Sequence, residues 1–283
     1  MKQKLPGSGS PTMRRRELGV LLRALRTEHG WTVDQVAQRL LVSPSKVSRL
    51  ETGQRGASPR DIRDLCDLYD VDEALRLQLT ELAAEGKQHA LARGLPYATY
   101  VGLESEATAI SDFGLGVVPG LLQTAGYARA VLRAMRPGHS DDAIELRVKG
   151  RLDRQRRLSA EDAPRFHALI DEGLLHRVAG SPETMRAQLD HLVAASRQPN
   201  IAIQVLPFAA GVLPVTNNKF IILEFSKPFV SELVYIEGMH GDVYLDRPDE
   251  VETYKSSFRA MREMAATEEE TRMLVESISA RLE

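Results

Sequence analysis

Four polar side chains, Ser45, Lys46, Ser48 and Arg49, stand at helical spacing in RLLVSPSKVSRLETGQRG, residues 39–56. Val42, Val47 and Leu50 take the opposite positions of the same pattern. The outward set is small or basic, and no acid joins it before Glu51. Such a set suits hydrogen bonding to the edges of nucleobases. Arg49 carries the planar fork that pairs bidentately with guanine O6 and N7, worth about 1–3 kcal/mol of discrimination. Lys46 offers the same contact less rigidly, or neutralises a phosphate. Ser45 can donate to or accept from any base.

These side chains need a helix held at a steep angle to the one before it. Ser43 as N-cap and Pro44 at the first helical position open the second helix. Thr32 with Gln35 forms a capping box that opens the first, TVDQVAQRL. Ala37 is the small residue at the crossing, and Val36 and Leu40 face inward with Val42, Val47 and Leu50. A helix presented this way fits the DNA major groove, with its N-terminal residues at base edges. Exposed N–H groups at the two helix starts, Thr32 and Ser43, are natural phosphate hooks, and Arg39 and Arg55 add sequence-blind affinity. An ordinary helical hairpin with no role on DNA is the competing reading.

Charge is distributed unevenly. The 283-residue chain carries a net charge of −2. Between Arg14 and Leu65 stand eleven Lys and Arg against six Asp and Glu, and Lys2 and Lys4 precede them. The remainder therefore carries about −9. A basic head on an acidic body predicts that only the head approaches a polyanion. The segment MKQKLPGSGSPT has no apolar run of the signal-peptide kind. No stretch reaches the roughly 18 apolar residues of a membrane span. The single cysteine, Cys66, lies in the apolar pattern IRDLCDLYDV and reads as a small core residue. A cytoplasmic, nucleoid-associated protein is expected.

The fold class is α+β: an N-terminal five-helix domain followed by a mixed α/β domain. Residues 1–13 read as a flexible tail, 14–86 as the helical domain, 87–105 as a linker, in part helical, and 106–283 as the second domain. Ser58-Pro59 and Asp72 open the fourth and fifth helices. In the second domain RFHALID, IAIQVLPF, KFIILEF, ELVYIEG and DVYLD are predicted strands. EGMHGD is a predicted hairpin turn.

The first domain closely resembles the lambda-repressor-like helix-turn-helix family, in its xenobiotic-response-element branch. The resemblance rests on LRALRTEHGWTVDQVAQRLLVSPSKVSRLETG and above all on S-x-x-S-R-L-E-x-G from Ser45 to Gly53. It implies that Arg26 pairs with Glu51, tying the first helix to the recognition helix and making that acid structural. Two positions depart from the family pattern. Val33 stands where glutamine often contacts phosphate, and Leu41 stands in the turn where glycine is usual. A left-handed residue with a side chain costs about 1–2 kcal/mol, so Leu41 either adopts positive φ or bends the turn.

The second domain offers less chemistry. Its histidines, His167 and His176 among them, form no metal-ligand spacing, and neither a P-loop nor a nucleophile elbow occurs. Asp171 and Glu172 after a predicted strand suit acid–base work or a helix cap, with capping preferred. Glu237, His240, Asp242 and Asp246 gather around the predicted hairpin. Arg147, Arg151, Arg154, Arg156 and Arg157 form a basic helix face that pairs with the domain's acids or docks an anionic partner. No catalytic, metal or cofactor residue is assigned.

VPGLLQTAGYARAVL, IDEGLLHR, MRAQLDHLVAAS and PNIAIQVLPFAAG resemble, in order, the C-terminal domain of a group of actinobacterial antitoxin-like and developmental regulators. The resemblance implies a regulatory, partner-binding domain without enzymatic activity. Pro119 to Gln123 is one candidate surface, with the start of a core helix as the alternative. The expected partners are double-stranded promoter DNA, a second copy of the chain and a small protein encoded by a neighbouring gene. The alternative is a small-molecule-responsive regulator whose pocket is lined by Phe208, Phe220, Phe225, Tyr235 and Tyr244.

Overall fold

The computed structural model describes residues 11–86, 98–215, 218–227, 230–238 and 242–282. It divides into two compact units, residues 1–106 with 225–231, and residues 107–224 with 232–283. The fold is α+β, helical in the first unit and mixed in the second.

In the first unit α1 spans Pro11–Glu28, α2 Val33–Leu40, α3 Pro44–Glu51, α4 Pro59–Leu68, α5 Glu73–Glu85 and α6 Ala98–Glu104. Their starts follow local chemistry. Thr32 and Ser58 each close a full capping box, while Ser43 and Asp72 accept from the backbone N–H three residues on. One core joins the helices: Leu18 and Leu22 of α1 meet Val36 and Ala37 of α2, Val47 and Leu50 of α3, Ile62, Leu65 and Cys66 of α4, and Leu79 of α5. Cys66 is fully buried, and burial raises its thiol pKa.

One boundary differs from the sequence reading. The tail was expected to run to residue 13, but α1 begins at Pro11 and Met13 is fully buried. The segment is too rich in Arg to read as a core helix, yet its polar composition hides one anchoring side chain. The 87–105 linker, expected to be in part helical, contains helix α6, which packs on α1, and residues 87–97 lie outside the described residues.

A six-stranded sheet runs in the order β3-β2-β1-β4-β5-β6, all of it in the second unit except residues 225–231. The strands are β1 Ala109–Gly114, β2 Arg165–Asp171, β3 Ile201–Leu206, β4 Phe220–Lys227, β5 Val230–Ile236 and β6 Val243–Leu245. β1, β2 and β3 run parallel, as Ile110 opposite Phe166 and Ala168 opposite Ile203 show. Parallel neighbours need long crossovers. The first is α7 (Ala125–Met135) with α8 (Asp141–Gln155), and the second is α9 (Glu172–Leu175) with α10 (Pro182–Ala195). β4 joins β1 antiparallel, and β6 joins β5 antiparallel.

Two further helices, α11 (Pro248–Met264) and α12 (Glu268–Ser279), close the chain. The edge of β3 is satisfied by side chains and turns: Val205 N–H donates to Thr271 Oγ1, and Ala266 N–H to Val205 O. The five strands read from the sequence are present. The central strand β1 was not foreseen. Residues 239–241 of the expected β5–β6 turn, with His240, lie outside the described residues.

Candidate nucleic-acid interface

The α2–α3 corner turns on Leu41. It adopts φ 54° and ψ 43°, the left-handed conformation, and its side chain is 92% exposed. Leu41 N–H donates to Gln38 O, and Val42 N–H donates to Ala37 O. This Schellman closure stops α2 and sends the chain into α3. The turn therefore takes positive φ and bears the strain of a side chain there. Leu40 and Val42 pack on the core from either side, which holds Leu41 out in solvent.

Two glycines let α3 sit against α1. A Cβ on Gly19 would stand 2.4 Å from Glu51 O, and one on Gly53 would stand 2.9 Å from Arg16 Cα. Gly53 also takes φ +68°. The glycine of the S-R-L-E-x-G pattern thus serves both backbone conformation and close approach.

The acid at the end of α3 is consumed internally. Arg26 donates from Nε to Glu51 Oε1 at 2.6 Å and from Nη2 to Glu51 Oε2 at 2.9 Å. Arg26 Nη1 donates to Trp31 O at 2.8 Å. Glu51 is 4% exposed, so α3 shows no carboxylate on its outer face. The hydrogen bond from Arg26 to Glu51 raises the guanidinium pKa against the opposing effect of burial.

Ser45, Ser48 and Arg49 are exposed together on α3. Arg49 Nε donates to Ser45 O at 3.0 Å, and Nη2 reaches Ser45 Oγ at 3.5 Å. The guanidinium therefore lies along the helix toward its N-terminal end, where a groove-reading helix meets bases. Lys46 departs from that face. Its Nζ donates to Asp61 Oδ1 of α4 at 2.5 Å, and its side chain is 22% exposed. Asp61 Oδ2 also accepts from Ser58 N–H at 2.9 Å. Burial raises the Asp61 pKa, but hydrogen bonds from Lys46 and Ser58 outweigh it and hold the carboxyl below its ordinary value. Lys46, expected at a base or a phosphate, is in this structure drawn to the acid across the α3–α4 corner.

The expected phosphate contacts are placed as follows. Thr32 Oγ1 accepts from Gln35 N–H while Gln35 Oε1 accepts from Thr32 N–H. Ser43 Oγ accepts from Lys46 N–H at 3.3 Å. Arg39 lies over the Trp31 ring at 4.5 Å and donates to Gln35 O. Arg55 is exposed, and its backbone N–H donates to Arg49 O. Sequence reasoning missed Gly19 and Asp61. The second was within reach, since Ser58 and Asp61 have capping-box spacing.

Residues 17–79 match the model of a helix-turn-helix domain, and residues 97–277 match that of a domain of unknown function, DUF5753. The chain belongs to the DUF5753 family. No curated protein matches it. As a DUF5753 chain with a helix-turn-helix domain, it is a DNA-binding regulator in its first unit. Among the described residues no helix is long and apolar enough to cross a membrane.

In the DUF5753 region several of the candidate polar residues are engaged within the fold. Asp171 caps α9 by accepting from Gly173 N–H, and Glu172 accepts from Phe208 N–H at 2.7 Å. His167 meets Gln204 Oε1 at 2.9 Å and the edge of Phe258, and burial lowers its pKa. Arg151 donates to Gln123 Oε1, Arg156 pairs with Asp153 and Arg157 with Asp162. The Pro119–Gln123 segment is not an open surface. Leu121, Leu122 and Gln123 are buried. Gln123 Nε2 donates to Val118 O, Gln155 Nε2 to Gln123 O, and Gln188 Nε2 to Leu122 O.

Proposed function

We infer that the protein is a sequence-specific transcriptional regulator that reads the major groove with α3 as a homodimer. The observation that carries this reading is the outer face of α3: Ser45, Ser48 and Arg49 are exposed, and the one acid of the helix is buried on Arg26. Arg49 is the base reader, and Ser45 is the adaptable donor and acceptor. Thr32, Ser43, Arg39 and Arg55 approach the phosphates. A single helix of this kind covers one half-site, and pairing two half-sites multiplies affinity and specificity.

The DUF5753 unit supplies dimer contacts and receives a signal from a small protein partner, without a catalytic step. Its acidic balance keeps it away from the DNA backbone. The small-molecule reading is not favoured, because Phe220, Phe225 and Tyr235 are buried. Phe220 packs edge-on against Tyr254 and Phe258 in the hydrophobic core.

Selection of duplexes from a randomised library by the full chain tests the DNA reading. The wild type enriches a palindrome. Arg49→Ala weakens binding to it by about 10- to 100-fold and relaxes one base position in each half-site. An unchanged affinity and base preference in Arg49→Ala overturns the reading.

A further inference from the structure

The recognition helix carries two cations, Lys46 and Arg49, and the structure treats them differently. Arg49 rests on neutral oxygens of Ser45 at the solvent face. Lys46 is bonded to a carboxylate that is 11% exposed and that also closes the capping box at the start of α4. Three groups thus meet at the α3–α4 corner: the Lys46 ammonium, the Asp61 carboxylate and the Ser58 backbone N–H. A carboxylate held by its own helix start is a fixed acceptor, whereas Lys46 has a flexible four-carbon stem. The stem bends to the acid.

We propose that Asp61 is a specificity-determining residue that withdraws Lys46 from the DNA-facing side of α3 and leaves Arg49 as the cation of that helix that reads bases. This rests on the major-groove reading above. On an outward α3, an unengaged lysine beside Ser45 would add a mobile charge able to pair with guanine or with either neighbouring phosphate. Both contacts raise affinity for wrong sequences as well as right ones, because a flexible point charge discriminates poorly. Pinning Lys46 to Asp61 removes that sequence-blind contribution. Asp61 is therefore a positioning residue that acts on DNA through Lys46.

The full chain is tested as wild type, Lys46→Met, Asp61→Asn and Arg49→Ala. Each is passed through the randomised duplex library, and binding to the wild-type-enriched duplex is measured across a salt titration. Asparagine keeps an oxygen for the Ser58 N–H but leaves the ammonium without its counter-charge. Asp61→Asn is expected to free Lys46, steepen the salt dependence by about one counterion per half-site, and broaden the enriched sequence. Lys46→Met is expected to leave both the salt slope and the enriched sequence unchanged, even if it lowers thermal stability. Combining the two changes returns the slope to that of the wild type.

The proposal is overturned if Lys46→Met flattens the salt slope or changes the preferred base while Asp61→Asn changes neither. That pattern would place Lys46 on the DNA already. Arg49→Ala separates this failure from that of the parent reading. If the wild type enriches a sequence and Arg49→Ala loses it, the major-groove reading stands whichever way Lys46 falls. If the wild type enriches no duplex, both fall.

Discussion

Arg26 and Glu51, 25 positions apart, form a two-pronged ion pair that joins the C-terminal end of α1 to the C-terminal end of α3. The carboxylate is almost fully enclosed, and the same guanidinium binds Trp31 O. Burying such a pair is costly, but removing one partner costs more, because the other charge stays behind.

Glu51→Leu is therefore expected to destabilise the first unit by about 3–5 kcal/mol. Arg26→Met with Glu51→Leu should cost less than Glu51→Leu alone. Trp31 is the only tryptophan of the chain, so its fluorescence during urea unfolding reads this unit directly. Equal losses in the single and double variants would show that the pair contributes nothing beyond its packing.

Leu41 bears strain without burial to offset it. Leu41→Gly should stabilise the first unit by about 1 kcal/mol, since glycine populates positive φ freely and the lost side chain is exposed. Leu41→Val should destabilise it, since a β-branched residue is less tolerant of positive φ. The urea midpoints of the two variants should fall on opposite sides of the wild type.

Asp61 gives the first unit an acid limit. Its folded pKa lies below its ordinary value of 3.8, so the native state binds this proton less readily than the unfolded chain. The stability it contributes is complete above that ordinary value and is lost as pH falls through the lower folded value. Trp31-detected unfolding of Asp61→Asn should show a shallower loss of stability over that acid range than the wild type. Parallel profiles would exclude Asp61 as a source of the acid limit.

Gln188 fastens the second unit from inside. It is fully buried, donates to Leu122 O and accepts from Thr124 N–H, each at 2.7 Å. Gln188→Leu leaves both backbone groups without these bonds and should cost about 2–6 kcal/mol, at about 1–3 for each orphaned group. Differential scanning calorimetry should show the loss in the transition of the second unit and leave the Trp31-reported transition in place.

Much of the first unit could be read directly from the chain. Thr32, Ser43, Ser58 and Asp72 cap their helices within three residues of themselves, and such local signals survive in any fold that keeps the helix. Leu41 was also legible as the uncomfortable position of the turn between α2 and α3, with positive φ and a bent turn left open. In the second unit, five strands announced themselves through Val, Ile, Phe and Tyr.

Strand β1 did not, for a physical reason. AISDFG is buried nearly throughout and lies between β2 and β4. It lacks the alternation of a half-exposed strand, and Ser111 and Asp112 break the apolar run that a buried strand usually shows. The beginning of α1 was hidden in the same way, since only Met13 marks it.

The sequence by itself determined where helices start and which side chains of α3 lie on its polar side. Those features depend on neighbours within four residues. Tertiary structure alone decided that Lys46 is drawn to Asp61 while Arg49 stays on the outer face, and that Leu41 takes positive φ. Ion pairing acts through space. Helical spacing shows which charges a helix offers, and only the packing of α1 and α4 against α3 settles which of them are already taken.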